Sequence, residues 1–313
     1  MCIRDRTLNA SLEFGVAPLS LVHALQNHDE LTYELVHWAT GHRDDLYTYK
    51  GAEITGGELA ESVRRDLCEH LTGPDAPYNL IFTTNGIACT TSTVIAATLG
   101  ITDLATIDET DTARIMRVHL LLAMFNALQP GVFALSGWDL CGMLTLDPAE
   151  VAELLEQGDT RWIHRAGHDL MGVNPGATRS SAGVPRGRSL YGPIPAQLDD
   201  ETSFLRQLQA ILAVRKRFGI AVARQVDIPA VSHRGMLVLV HELDDDRAGK
   251  LHLTVLNFSD EHVTGTVRSE HLMPGSEVSD MFTSKPVASV DDLHSFVVDL
   301  EPHQGHSLLV AAS

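Results

Sequence analysis

Residues 20 to 30 read Ser20-Leu21-Val22-His23-Ala24-Leu25-Gln26-Asn27-His28-Asp29-Glu30, a short apolar run that ends abruptly in polar residues. An apolar run of this length fits a strand buried in a parallel sheet, which would deliver Asn27, His28, Asp29 and Glu30 at its C-terminal end. Gly131 to Leu135, GVFAL, repeats the pattern and runs into Ser136, Gly137, Trp138 and Asp139. Between the two lies a long excursion, residues 31 to about 112. In it Glu58 to Leu71 reads as an amphipathic helix broken by Gly73, Pro74 and Pro77; a strand-like Tyr78 to Thr83 and a helix-like Ser92 to Leu99 follow. Ala113 to Leu128 is apolar on almost every face and stops at Pro130, which predicts a helix packed on two sides. Thr202 to Phe218 predicts another, with Phe204, Leu208, Ile211, Leu212 and Phe218 on one stripe. Strand, helical excursion, strand, helix is the order of parallel βα units, whose chemistry sits in the loops after the strand C-termini.

After Gly219 the pattern changes. Met236–Val240, Leu251–Phe258, Val263–Val267, Ser295–Leu300 and Ser307–Ala311 are short, Val- and Leu-rich and separated by turn signals, as in an all-β module. The predicted organisation is therefore α/β plus all-β, with residues 7–218 carrying the βα units and 219–313 the β module. Composition narrows the function. The 313 residues are 44% hydrophobic and carry a net charge of −18, with no basic block to follow phosphates, so nucleic acid and anionic membrane are not expected partners. No stretch reaches the roughly 18 apolar residues of a spanning helix. The four cysteines are far apart, which fits a reducing compartment, and a cytoplasmic protein is expected. Met1 to Arg6, MCIRDR, resembles the translated end of a sequencing adapter, so residue 7 onward is expected to be the interior of a longer protein. Two parallel strands agree with that, since an eight-stranded barrel needs about 250 residues.

Four segments in order carry a family resemblance: LQNHDELT (Leu25–Thr32), QPGVFALSGWDLCG (Gln129–Gly142), ILAVRK (Ile211–Lys216) and NFSD (Asn257–Asp260). They resemble, respectively, the seventh barrel strand, the eighth strand, the eighth helix and the middle of the C-terminal sandwich of the α-amylase family, glycoside hydrolase family 13. The resemblance covers most of residues 19 to 313. NHDELT followed by a large segment is most similar to the trehalose synthases of that family, the maltose α-glucosyltransferases; Trp138 and Asp139 stand where a pair of acidic residues is usual. The resemblance implies the C-terminal part of a (β/α)8 TIM barrel, about strands 7 and 8 with their helices, followed by an antiparallel β-sandwich. It implies a carbohydrate partner (maltose, trehalose or an α-glucan) and no cofactor held by this chain, leaving calcium open for the upstream part. No oligomeric state is indicated.

Retaining cleavage of an α-glucosidic bond needs a nucleophile and an acid carboxyl about 5 Å apart around an oxocarbenium-like transition state. Such a state also rewards a third, fixed carboxylate. Asp29 suits that third role, with His28 donating to a neighbouring hydroxyl and Asn27 and Asp139 beside the substrate. Asp29 and Glu30 cannot be the catalytic pair, because successive strand side chains point to opposite faces. By the resemblance, nucleophile and acid sit on the fourth and fifth strands, upstream, so this chain by itself is expected to be inactive.

Each reading has a structural alternative. Asn27 to Asp29 is also what a strand-end turn with a capping Asp29 would show, and Trp138 with Asp139 fits a structural turn as well as a substrate-facing end. Arg161 and Trp162 read as a surface arginine and an anchoring tryptophan. The histidines show no HxH or HExxH spacing, so no metal site is expected. Asp244 to Asp246 read as a hairpin turn. Three functions remain: a glucosyl-transferring isomerase interconverting maltose and trehalose, an α-glucan hydrolase of the same family, and a non-catalytic carbohydrate-binding module.

Overall fold

The structure is a computed structural model that describes Ala17 and residues 20–229, 231–244 and 249–311; Met1 to Arg6, Asp245 and Asp246 lie outside the described residues. The chain runs through β1 (Val22–Ala24), β2 (Leu31–Thr32), β3 (Leu46–Tyr49), β4 (Ala52–Thr55), α1 (Gly56–Leu71), β5 (Leu80–Thr83), β6 (Gly86–Ala88) and α2 (Thr91–Thr98). Next come α3 (Glu109–Ala127), β7 (Val132–Ala134), α4 (Gly137–Cys141), α5 (Ala152–Leu155), α6 (Ile194–Leu198) and α7 (Phe204–Arg217). Eight strands complete it: β8 (Arg224–Asp227), β9 (Met236–Glu242), β10 (Leu251–Asn257), β11 (Val263–Arg268), β12 (Glu277–Asp280), β13 (Pro286–Ser289), β14 (Ser295–Leu300) and β15 (Gly305–Ala311).

Two compact units form, each from separate stretches of chain. The first takes Met1–Leu25, Arg117–Ala134 and Phe204–Ser313; the second takes Gln26–Met116 and Leu135–Ser203. The change of pattern at Phe218 falls inside the first unit, which joins α7 to the strands that follow it. The reason is packing: the large sheet of the β module is apolar on both faces.

In the first unit β1 and β7 pair in parallel, Val22 opposite Val132 and Ala24 opposite Ala134, as the two apolar runs predict. The pair is not buried on both faces, however. Val22 and Val132 are 66% and 47% exposed, since no third strand flanks the pair among the described residues. A helix leaves its last carbonyls without intrahelical partners. Arg215 of α7 reaches the end of α3: its guanidinium donates to the last helical carbonyl, Ala127, and to the carbonyls of Gln129 and Gly131 just beyond it. The β module is a sandwich of a six-stranded sheet, β13-β12-β15-β10-β9-β8, and the antiparallel pair β11-β14. Val238, Val240, Leu253, Val255, Leu308 and Val310 of the large sheet meet Val263, Val267, Phe296 and Leu300 of the small one. On the other face of the large sheet, Leu243, Leu256 and Met281 share a core with Leu121 and Met124 of α3 and Ile211 and Val214 of α7. That second face holds His241 and His252, which are directly opposite on β9 and β10, fully buried and stacked with ring centroids 5.6 Å apart.

The second unit is built on α1 and α2, each started by a capping box, Thr55 with Glu58 and Thr90 with Thr93. Leu71, Ile87 and Cys89 form one core cluster, and Ala88, Cys141, Met143, Leu146, Val151, Ile163 and Ala166 another. The excursion after β1 and the segment after β7 thereby share one core.

Candidate functional site

Within the second unit the backbone at Gln26 is fixed from two sides. Its side-chain Nε2 donates to the Cys89 carbonyl, and its carbonyl accepts from Ser136 Oγ at 2.7 Å. Asn27 is exposed, and its Oδ1 accepts from the Asp29 amide at 2.8 Å in a side-chain turn. The turn projects His28, whose side chain is 80% exposed, and Asp29, 37% exposed, side by side, with His28 Nε2 3.5 Å from Asp29 Oδ2. Glu30 is more buried and turns toward the interior, 3.6 Å from Arg161.

The other Asp29 oxygen is held by the Asp159–Arg165 segment. Arg161 Nη1 lies 2.6 Å from Asp29 Oδ1, and Arg165 Nη2 3.5 Å from it. Arg161 is itself clamped: Nε and Nη2 donate to the two Asp159 oxygens at 2.8 and 3.0 Å, and the guanidinium lies over the Phe82 ring of β5 at 4.6 Å. A fork on a carboxylate with an aromatic floor fixes a guanidinium in one plane. The hydrogen bond from Arg161 holds the Asp159 carboxyl below its usual range, despite partial desolvation. Arg165 donates from Nε to the His28 carbonyl at 3.3 Å and lies over Trp162. Beneath, the buried His164 ring sits edge-on to Trp138, with Nε2 3.3 Å from the same carbonyl. Burial pushes its pKa down to about 4, so it stands neutral at neutral pH.

Arg161 is therefore not the surface arginine the sequence suggests; its side chain is only 25% exposed and bridges two carboxylates. Sequence reasoning missed Asp159, Arg165 and His164 as neighbours of Asp29. The available signal was the pair Arg161 and Arg165, four residues apart and so on one side of a helical turn. Asp139 is placed differently from Asp29. Its Oδ2 accepts from the Ser136 amide at 3.1 Å in the capping box of α4, and the residue is 1% exposed. Among the described residues no group of three or more His, Cys, Asp or Glu is placed to hold a metal ion, and no helix is long and apolar enough to cross a membrane.

Chemically, one oxygen of Asp29 is immobilised by a cation while the other stays accessible beside an imidazole. Such a pair accepts one hydroxyl proton and donates toward a neighbouring oxygen, the pattern presented by adjacent hydroxyls of a sugar ring.

No protein-family description and no curated protein matches the sequence. Solved structures do. Among them are the trehalulose synthase MutB from Pseudomonas mesoacidophila MX-45, 17% identical, covering 62% of this chain and 38% of its own, with a TM-score of 0.45. Amy13B of Eubacterium rectale is 12% identical over 72% of this chain and 37% of its own, TM-score 0.45. AmyP in complex with maltose is 13% identical over 68% and 39%, TM-score 0.44. The chain spans little more than a third of the length of these structures.

Proposed function

We propose that the chain is the C-terminal part of a retaining, α-glucoside-active enzyme of the α-amylase family, and that its reaction is the interconversion of maltose and trehalose by intramolecular glucosyl transfer. On this reading β1 and β7 are the seventh and eighth strands of a (β/α)8 barrel, and the exposed Val22 and Val132 are surfaces for neighbouring strands. The observation that carries the reading is Asp29 itself: a carboxylate locked on Oδ1 by Arg161, open on Oδ2 beside His28, in the loop that follows the C-terminal end of a parallel strand. Fixed negative charge at that place answers the positive charge that develops at the anomeric centre, without reorganisation during the reaction. His28 and Asn27 shape the hydroxyl contacts. The nucleophile and the acid belong to upstream strands, so residues 1–313 alone have no turnover. Asp139 stands beside the substrate on this reading, held by the turn it caps.

Isomerisation requires that freed glucose be retained and water excluded. Support for it comes from the excursion, whose strand β5 lies against the Asp29 network through Phe82 on Arg161 and through the Ile81 carbonyl, which accepts from Thr160 Oγ1 at 3.3 Å. A hydrolase of the same family is the second reading, favoured by the open His28 side chain. Product analysis on maltose with the upstream barrel restored separates them. Trehalose with little free glucose is expected; glucose alone selects the hydrolase, and no conversion of any α-glucoside defeats both. Turnover by residues 1–313 alone would defeat the division of labour between this chain and the upstream strands.

A further inference from the structure

The peptide group that joins His28 to Asp29 is held at both ends. Its N–H, that of Asp29, donates to Asn27 Oδ1 at 2.8 Å. Its C=O, that of His28, lies 3.3 Å from His164 Nε2 and accepts from Arg165 Nε at 3.3 Å. A peptide is planar, so holding both ends orients the backbone from which the Asp29 side chain departs.

The two groups at the carbonyl differ. Arg165 spreads its guanidinium over three acceptors: besides the carbonyl, Nη1 is 3.5 Å from Asp159 Oδ2 and Nη2 3.5 Å from Asp29 Oδ1. His164 has this carbonyl alone. Its ring is fully buried at the end of the 3-10 turn Thr160–His164, which Asp159 starts by accepting from the Arg161 amide at 3.0 Å. A carbonyl only accepts, so Nε2 must carry the proton that this contact uses. Burial keeps the ring neutral at neutral pH, which leaves Nδ1 bare. Nδ1 has no hydrogen-bond partner among the described residues, and neither has the buried indole Nε1 of Trp138, whose ring stands edge-on to the imidazole with centroids 6.0 Å apart. With the proton on Nε2, an unspent acceptor and an unspent donor share one contact. With it on Nδ1, two unspent donors would be buried there and a lone pair would face the carbonyl.

We propose that His164 is a positioning residue of the Asp29 site: protonated at Nε2 and bare at Nδ1, it donates to the His28 carbonyl and fixes the peptide from which Asp29 projects. The proposal rests on the reading of Asp29 as the functional carboxylate and adds the group that aims it.

The test is nuclear magnetic resonance on the whole chain at neutral pH. Long-range proton–nitrogen spectra are expected to show His164 protonated at Nε2 and bare at Nδ1; a proton on Nδ1, alone or together with one on Nε2, overturns the proposal. His164→Phe keeps a ring and removes both nitrogens. It is expected to move the His28 carbonyl-carbon resonance and to speed exchange of the Asp29 amide about fivefold, the factor that one neutral hydrogen bond is worth. His164→Gln returns an amide donor and is expected to restore both readouts, whereas a side chain that only fills space would be replaced equally well by Phe. Unchanged readouts in a folded His164→Phe chain, or no recovery with His164→Gln, overturn the proposal. If His164→Phe does not fold, the wild-type tautomer and the Gln variant decide. These readouts follow the placement of a peptide and not turnover, so their failure is distinct from a failure of the reaction assigned to Asp29.

Discussion

At Asp29 the side chain, its turn and its strand each came from a different level of the sequence. NHD after an apolar run was legible because strand alternation and turn chemistry are local. Arg161 was not: it is 132 positions away, and nothing local to DTRW says which carboxylate it will meet. The buried histidines were unreadable for the same reason, since a lone His in an alternating strand looks solvated until both sheet faces are known to be covered. Their consequence is a pH dependence. His241 is pushed down to about 3 by burial, with His23 as a like-charged neighbour; its partner His252 is held well below its usual range by burial and by His241. Neither ring nitrogen of His241 has a hydrogen-bond partner among the described residues. In the unfolded chain each histidine takes up a proton near pH 6.5, while in the fold His164 and His241 stay neutral to about pH 4 and about pH 3, and burial holds His252 neutral well below its usual range. The unfolded state therefore binds more protons in that window, and stability falls as pH falls. Urea unfolding at pH 7 and pH 5 should show a loss of roughly 1 to 2 kcal/mol for each such histidine. His241→Phe should flatten the dependence; an unchanged slope would place that ring in contact with solvent.

Elements with a clear period were legible nearly to their ends. The stretch read as Glu58 to Leu71 is the helix Gly56–Leu71, and Thr202 to Phe218 is Phe204–Arg217, because capping residues and apolar stripes mark them. The strands β8, β12 and β13, with sequences RQVD, EVSD and PVAS, went unread: each is only four residues long and buries too few side chains to alternate visibly. A second kind of invisible contact is Arg215. The tripeptide VRK gives no hint that its arginine closes the end of another helix 88 positions earlier. Arg215→Met keeps the apolar stem but strips the carbonyls of Ala127, Gln129 and Gly131 of a charged donor. The expected cost is about 2 to 3 kcal/mol in urea unfolding, with the far-ultraviolet spectrum unchanged. A loss below about 0.5 kcal/mol would mean that water replaces the guanidinium at no cost.

On the scale of the whole molecule, the change of hydrophobic pattern at Phe218 marks where strands begin, whereas the units are set by which apolar faces meet. The second face of the large sheet needs α3 and α7, so the β module does not end at its first strand, and Gln26–Met116 joins Leu135–Ser203. The parallel pairing of β1 with β7 was legible because both runs are apolar and both end in polar residues; their exposed flanks were not, because periodicity does not say which neighbours a strand has. The central claim is that this architecture holds Asp29 as a fixed charge for a glycosyl transition state. The most direct measurement is steady-state kinetics of Asp29→Asn on maltose with the upstream barrel restored. Removing the charge while keeping the side chain's shape should lower kcat by about 10²-fold or more and leave KM little changed. A near-normal kcat would contradict the account and leave Asn27 to Asp29 as a strand-end turn.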